Sequence, residues 1–297
     1  MLHYVEHPPP LELEPFVECV WSVFDRRRLP RREPDRVVPD GCPELIVHLA
    51  DSFARRRGGR FVRQPRAFLA GTLTRPWLLR AGPRVLTLGI RFRPAGAAAL
   101  LRASLEGTAD REVPLAALVE SRAARELLRG LRRARTPARR FAAALAWLQA
   151  RLAEGPAASG ARAAVDLILR SRGAIRIEDV ARRLGQGRRR LERAFARELG
   201  IRPKLYARIV RLNAVLATLD ERERAPAVDL ALEAGYFDQA HLLRDFRALA
   251  QKTPRSGREA DGPLARHFTH PERLRAVFIE LGDAAPRPPG PPLAPPR

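Results

Sequence analysis

Basic side chains are concentrated in one short stretch of this 297-residue chain. Between Arg170 and Arg211 there are 14 Lys and Arg against 4 Asp and Glu, whereas between Glu221 and Arg258 the counts are 7 and 6. Cationic side chains neutralise DNA phosphates, and a guanidinium can also pair with the edge of guanine. The total charge of +22 is weaker evidence, because only Lys204 and Lys252 are lysines and GC-rich codon use also favours arginine. The local excess predicts a basic nucleic-acid-binding unit followed by a nearly neutral one.

Sequence patterns typical of enzymes and metal sites are missing. The chain has no Gly-x-Ser-x-Gly, no phosphate loop and no Gly-x-Gly-x-x-Gly. His3, His7 and His48 lack the spacing of metal ligands, and Cys19 and Cys42 form no Cys-x-x-Cys pair. We therefore expect no catalytic residues, no metal and no cofactor, and we expect the two thiols to be free and buried.

An internal repeat carries the main functional signal. Val180-Ala181-x-x-Leu184-Gly185 recurs as Leu230-Ala231-x-x-Ala234-Gly235, and each copy is followed by a Phe and then a Pro. In a helix-turn-helix, the small residue lets two helices cross closely and the Gly takes the positive φ of the turn. The sequence therefore predicts two such units. The expected core residues are Ile177, Val180, Leu184, Leu191 and Phe195 in the first unit, and Leu230, Ala234, Phe237, Leu242 and Phe246 in the second.

A connecting helix should join the two units. Leu205, Ile209, Leu212, Leu216 and Leu219 form one apolar stripe at helical spacing. From Pro203 to Asp220 the helix would span about 27 Å at ~1.5 Å per residue. One turn of B-DNA is about 34 Å, so recognition helices at its two ends could enter successive major grooves.

The N-terminal part is expected to be β-rich. Val85 to Phe92 alternates apolar and polar residues, as a half-buried strand does, and Glu44 to Leu49 is an apolar run after the turn signal Pro39-Asp40-Gly41. Shorter strands are expected at Phe61-Val62 and from Phe68 to Gly71. The predicted fold class is α+β, with an N-terminal β-rich, barrel-like domain and a C-terminal all-α domain that holds two helix-turn-helix units joined by a long helix.

Composition changes divide the chain. We predict a β-rich sensor or dimerisation domain at residues 1–135, a helical linker at 136–160, the DNA-binding domain at 161–262, and a short helix with a disordered Pro-rich tail at 263–297. Met1 to Pro10 does not look like a secretory signal, and no apolar run approaches the length of a spanning helix. We therefore expect a cytoplasmic protein without membrane contact.

The C-terminal sequence resembles the AraC/XylS family of transcription regulators. The resemblance covers Ala174 to Arg258 and includes the Gly-Tyr-Phe-Asp-Gln-Ala-His-Leu segment from Gly235 to Leu242. Gln251 departs from it, standing where a Gly usually ends the second recognition helix. The N-terminal motifs are similar to a sensor-like domain of unassigned function found ahead of such regulators. They are Phe16-Val-Glu-Cys-Val-Trp21, Val38-Pro-Asp-Gly41 and Arg91-Phe-Arg-Pro94.

The resemblance implies a sequence-specific DNA-binding regulator, and it favours activation. Arg189 and Arg193 match base-facing positions, although contact with phosphate or solvent alone is the alternative. Glu192 either accepts a hydrogen bond from cytosine or pairs with a neighbouring arginine. The candidate base contacts are Arg189, Arg190, Glu192, Arg193, Gln239, His241 and Arg244. The candidate phosphate contacts are Arg188, Arg202, Lys204 and Arg255.

The task of the N-terminal domain stays open between three alternatives. It either binds a small-molecule effector, only mediates dimerisation or partner contact, or is an enzyme fused to a DNA-binding module. Trp21, Asp40, Glu44 and Arg91 are the candidate effector-binding residues, although a Trp is more often core and Asp40 also suits a turn. The implied partners are double-stranded DNA, a small-molecule effector, a second copy in a homodimer, and RNA polymerase if the protein is an activator.

Overall fold

The computed structural model describes residues 2–25, 34–221 and 231–251. Within these ranges the N-terminal half holds two antiparallel sheets. The strands are β1 (His3–His7), β2 (Val17–Phe24), β3 (Asp35–Val37), β4 (Glu44–His48), β5 (Ala54–Arg57), β6 (Arg60–Arg63), β7 (Ala67–Ala70), β8 (Trp77–Arg80), β9 (Leu86–Phe92) and β10 (Glu112–Pro114). The larger sheet has the order β1-β2-β9-β4-β7-β10 and the smaller one β3-β8-β5-β6.

The larger sheet is covered on both faces. Leu88, Ile90 and Phe92 of β9 pack under helices, whereas Trp21 and Phe68 face the smaller sheet. β9 is therefore buried on both faces, and the expectation of a half-buried strand was wrong because the second sheet covers its polar face. The two sheets are open at their edges and pack as separate layers, so the expected barrel is not closed.

Three helices cover the other face of the larger sheet. They are α1 (Gly96–Leu101), α2 (Ser121–Arg133) and α3 (Pro137–Ala153). Thr136 caps α3 by accepting from the backbone N–H of Arg139, and Pro137 occupies its first turn, where no donor is needed. Phe141, Trp147 and Leu148 of α3 belong to the same hydrophobic core as the sheet.

The C-terminal half is helical. Its elements are α4 (Arg162–Arg170), α5 (Ile177–Arg183), α6 (Arg188–Leu199), α7 (Pro203–Glu221) and α8 (Gln239–Asp245), followed by a π-helical turn (Phe246–Ala250). Gly185 and Gly235 have φ of 60° and 74°, as the two predicted tight turns require. α7 is the predicted connecting helix. The short helix and tail expected after residue 262 lie outside the described residues.

The miniature core of the first unit forms as expected, whereas that of the second differs at one residue. Val180, Leu191 and Phe195 are fully buried. In the second unit Phe237 is 89% exposed, contrary to expectation, and the neighbouring Tyr236 is buried at 3%. Adjacent side chains in a turn point different ways, and only one of this pair can reach the core. Leu230 lies outside the described residues.

The two halves meet over several polar contacts. Thr72 Oγ1 donates to the Leu199 carbonyl at 2.6 Å, and the Leu105 N–H donates to the Arg197 carbonyl at 2.7 Å. Both contacts hold the C-terminal end of α6. None of the described helices combines the length and apolarity needed to cross a bilayer.

Candidate DNA-binding interface and N-terminal cavity

Helix α6 presents arginines to solvent at its N-terminal end. Leu191 and Phe195 are fully buried and fix which side of the helix faces inward. Arg189, Arg190 and Arg193 lie on the outer side and are exposed. These three predicted base contacts therefore point into the solvent from the N-terminal half of α6 and are not covered by other parts of the described structure.

The predicted contacts Arg188 and Glu192 are engaged with each other. Arg188 Nε donates to Glu192 Oε1 at 3.0 Å, and Arg188 Nη1 donates to Glu178 Oε1 of α5 at 3.3 Å. The hydrogen bond to Glu192 raises the pKa of Arg188. These pairs are exposed and each contributes little to stability. They do hold Arg188 and Glu192 on the α5 side of α6.

A basic groove runs along the other side of α6. It has a volume of about 460 Å³ and is lined by Arg190, Arg193 and Arg197 together with Ala158 and Gly160 of the preceding segment. Arg197 is exposed and stands one turn beyond Arg193. Sequence reasoning missed Arg197, although its i, i+4 spacing from Arg193 marks the same helix face. Three arginines against the single carboxylate of Glu198 make this groove basic.

Glu198 ties α6 to the start of α4. Its carboxylate accepts from the N–H groups of Gly160 at 2.8 Å and Ala161 at 3.3 Å, and it also accepts from the Ser159 hydroxyl. Glu198 is only 7% exposed. These bonds satisfy backbone donors at the N-terminus of α4, where a negative charge is favourable. The segment before α4 is thereby fixed beside the recognition helix.

The second unit places its candidates around the start of α8. Asp238 caps the helix, accepting from the His241 N–H at 2.6 Å. Gln239 and Arg244 are exposed, whereas His241 is half-buried and lies edge-on to the Tyr236 ring at 5.0 Å. Gln251 adopts φ of 50° after the last helical turn, the conformation that a Gly usually supplies.

The candidate phosphate contacts lie partly inside and partly outside the described residues. Arg202 and Lys204 are exposed at the start of α7. Arg255 lies outside the described residues.

Two arginines of α7 hold the two units together. Arg211 donates to the Gly173 carbonyl from Nη2 at 2.6 Å and from Nε at 3.2 Å, and its guanidinium lies 5.2 Å from the Tyr236 ring. Burial lowers its pKa. Arg208 donates to Asp245 Oδ1 of α8 from Nη2 at 2.7 Å and from Nε at 3.0 Å. Arg211 thus touches both units, a role that sequence reasoning did not assign.

A second candidate site lies between the two sheets of the N-terminal half. Arg91 is buried and donates to three carboxylates, from Nε to Glu18 at 3.0 Å, from Nη1 to Glu44 at 2.7 Å and from Nη2 to Asp40. Burial acts to lower the pKa of Arg91, but the negative charges of Asp40, Glu18 and Glu44 outweigh it and the pKa is raised. Burial also raises the pKa of the Cys42 thiol, which therefore stays neutral.

A cavity of about 40 Å³ adjoins this cluster. The structure brings Asp40, Glu44 and Arg91 of the candidate effector residues to it. Trp21 lies in the same hydrophobic layer but does not line the cavity, and it packs against Gly89, where a Cβ would fall 2.0 Å from the indole. The cavity is lined by Val37, Asp40, Cys42, Glu44, Ile46, Gln64, Ala70, Gly71, Leu73, Trp77, Leu79 and Arg91.

Paired helix-turn-helix units with exposed arginines on the first recognition helix define a DNA-binding protein of the helix-turn-helix class. Residues 180–260 match the family described as helix-turn-helix domain, and residues 5–114 match a domain of unknown function (DUF6597). The chain therefore carries an AraC-type helix-turn-helix domain at residues 180–260 and a domain of unknown function at residues 5–114.

Solved structures of ToxT from Vibrio cholerae are similar to the chain at a low level. One crystal form of ToxT is 8% identical, covering 86% of this chain and 96% of ToxT with a TM-score of 0.41. Wild-type ToxT from strain SCE256 bound to an unsaturated fatty acid is 10% identical, covering 79% and 92% with a TM-score of 0.40. No curated protein matches the chain.

Proposed function

We propose that the protein is a sequence-specific regulator of transcription that reads DNA with both helix-turn-helix units and responds to an effector through its N-terminal domain. The observation that carries the proposal is the outer face of α6, where Arg189, Arg190 and Arg193 are exposed. Leu191 and Phe195 form the opposite, buried face of the same helix. Arginine can pair bidentately with guanine O6 and N7, which discriminates between bases by about 1–3 kcal/mol.

The joint between the units supports simultaneous binding by both. α7 has 19 residues, about 28 Å at ~1.5 Å per residue, which is near the ~34 Å turn of B-DNA. Arg211 donates to the Gly173 carbonyl of the first unit, and its guanidinium lies 5.2 Å from the Tyr236 ring of the second. Two recognition helices held at a fixed spacing suit adjacent major grooves on one side of the duplex.

Contacts between the halves support control by the N-terminal domain. Besides the bonds to the end of α6, Asn213 of α7 donates to the Pro39 carbonyl at 3.2 Å, and Arg36 donates to Gln251 beyond α8 at 3.2 Å. The N-terminal half thus touches the first recognition helix, the connecting helix and the end of the second unit. A shift in the sheets would therefore reach every part that positions the recognition helices.

The proposal is tested by selecting a binding site from random duplex DNA with the full-length protein and footprinting the selected site. We expect protection over two successive major grooves. Arg193→Ala should weaken binding to the selected site by about 5- to 150-fold, the equivalent of ~1–3 kcal/mol, and weaken binding to random DNA much less. Arg133→Ala, which removes an exposed arginine of α2, is the matched control and should change neither.

Two results would contradict the proposed function. Selection that yields no preferred sequence would leave only non-specific binding. Protection of a single half-turn would show that the second unit does not engage DNA. Equal losses on selected and random DNA for Arg193→Ala would reduce that residue to a phosphate contact.

A further inference from the structure

The basic groove beside α6 continues onto the N-terminal half. A second cavity, of about 160 Å³, shares Ala158, Arg197 and Glu198 with that groove and extends it to Arg102 at the end of α1. The other residues that line this cavity come from α1, from the loop after it and from the segment before α4. We call the continuous surface from Arg190 to Arg102 the extended groove. It is built by both halves of the chain.

Positive charge dominates the extended groove. Its lining holds one carboxylate, that of Glu198, which already accepts from the Ser159 hydroxyl and from two backbone N–H groups. Against it stand four exposed arginines, Arg102, Arg190, Arg193 and Arg197. In the described parts of the chain no carboxylate pairs with any of the three that belong to α6. A surface with this charge excess attracts a polyanion.

Two contacts fix the arginines at the joint between the halves. Arg102 donates from Nη1 to the Glu154 carbonyl at 2.8 Å, and the Arg197 carbonyl accepts from the Leu105 N–H at 2.7 Å. The Glu154 carboxylate is itself paired with Arg151. A guanidinium has several N–H donors, so Arg102 keeps donors for a second acceptor. Arg102 and Arg197 therefore line one cavity and can both donate to an anionic group placed there.

Continuity with the candidate base contacts identifies the anion. Arg193 lines the extended groove and is a candidate base contact, and Arg197 follows it by one helical turn, about 6 Å at ~1.5 Å per residue. A helix that brings Arg193 to base edges in the major groove therefore carries Arg197 to the phosphates at its rim. From Arg190 to Arg197 the groove is about 10 Å long at ~1.5 Å per residue. That length accommodates at least two successive phosphates of one strand at a rise of ~3.4 Å each.

We propose that the extended groove seats one phosphodiester strand of the DNA at the rim of the major groove that α6 reads, with Arg197 and Arg102 each paired to a phosphate. The inference rests on the proposed function and adds that the N-terminal half is itself part of the DNA-binding surface. Phosphate contacts carry no direct sequence information, so these two contacts raise affinity and orient α6 without selecting a base. Because Arg102 belongs to the N-terminal half, movement of that half away from α6 removes one phosphate contact.

The salt dependence of binding tests the phosphate contacts on the full-length protein. Each phosphate neutralised by a cationic side chain steepens the fall of log K with log salt by about 0.9. Arg102→Gln and Arg197→Gln should each reduce this slope by about 0.9, and the double variant by about 1.8. Each single variant should bind about three- to tenfold more weakly at about 0.1 M salt. The loss should be the same on the selected site and on a random duplex.

Matched variants control for charge and folding. The double variant Arg132→Gln, Arg133→Gln removes two exposed arginines from α2 and should leave the slope unchanged. Ala158→Glu adds a carboxylate to the extended groove, leaves every arginine in place and should weaken binding to both duplexes. Ala146→Glu, at an exposed position of α3, should not. Because Ala158 is exposed, its variant keeps the test valid if Arg102→Gln or Arg197→Gln lowers the thermal midpoint.

Directed cleavage locates the strand. Arg102→Cys introduces a thiol at an exposed position, to which an iron–EDTA group is attached. The wild-type protein, treated in the same way, controls for labelling of Cys42, which is partly accessible. Hydroxyl radicals from position 102 should cut the selected duplex at one rim of the major groove that the footprint assigns to α6.

The outcomes separate this inference from the proposed function. Unchanged slopes in both single variants, or losses confined to the selected site, overturn the phosphate contacts. A slope that changes for Arg197→Gln alone, or cleavage away from the groove that α6 occupies, overturns the part assigned to the N-terminal half. Failure to select a DNA sequence overturns the proposed function, whereas the slopes remain measurable on random duplex.

Discussion

Arg211 offers a direct test of how the two helix-turn-helix units act together. Its guanidinium donates twice to the Gly173 carbonyl of the first unit, at 2.6 and 3.2 Å, and lies 5.2 Å from the Tyr236 ring of the second. A hydrogen bond from a charged group contributes about 1.5–3 kcal/mol, and a cation–π contact at a partly exposed site adds roughly 0.5–1 kcal/mol. Because the two donors share one acceptor, we expect about 2–3 kcal/mol for the whole contact.

The perturbation is Arg211→Met, which keeps the aliphatic stem and removes the guanidinium. A full DNA site needs both units at one orientation, so its affinity should fall by about 30- to 150-fold, the equivalent of ~2–3 kcal/mol. A half-site needs only one unit and should be bound nearly as well as before. Fluorescence anisotropy with full-site and half-site duplexes measures both affinities.

The control for Arg211→Met is Arg133→Met, which removes an equal charge from the exposed face of α2. It should leave both affinities unchanged apart from a small electrostatic effect. Equal losses on the full site and the half-site would show that Arg211 contributes only charge or stability. An unchanged full-site affinity would show that the spacing of the units does not depend on this contact.

Three further predictions concern stability and are measured by urea denaturation. Gly41→Ala should cost about 1–3 kcal/mol for its positive φ and more for the clash with Tyr206, whereas Gly58→Ala, with φ of 52° and open space around it, carries only the first cost. Burial lowers the pKa of His48 to about 4 from 6.5. The unfolded chain therefore takes up the proton first as pH falls, and about 3 kcal/mol of the free energy of unfolding is lost from pH 6.5 to about pH 4. The His48→Gln variant should lose less over that range. The same dependence of unfolding free energy on pH in both proteins would contradict the role given to His48. Glu198→Gln should cost about 2 kcal/mol through its backbone bonds, whereas the exposed Glu178→Gln should cost little.

Local patterns predicted much of the fold. The strands expected near Glu44 and Val85 are confirmed, as are the positive φ at Gly185 and Gly235. Each depends on a period or a turn residue that acts within a few positions. The packing of one sheet on the other depends on residues far apart in the chain and leaves no such local signal. For that reason β9 was expected to be half-buried, whereas it is covered on both faces.

In the candidate sites, too, features set by local spacing were predicted, and contacts between distant parts of the chain were not. The outward positions of Arg189 and Arg193 follow from helical spacing against Leu191 and Phe195. The Arg91 cluster joins residues 47 to 73 positions apart along the chain, and Glu18 was not predicted to belong to it. Arg211 likewise escaped prediction, because its partners Gly173 and Tyr236 belong to different units.

The anchoring of α6 at its C-terminal end limits how the helix meets the duplex. The Leu199 and Arg197 carbonyls are held by Thr72 and Leu105, so the last turns abut the N-terminal half. The free part from Arg188 to Arg193 is about 9 Å long at ~1.5 Å per residue, close to the ~8.5 Å depth of the major groove. If the protein binds DNA as proposed, α6 enters the groove with its N-terminal end first, and the N-terminal half limits how deeply the helix can insert.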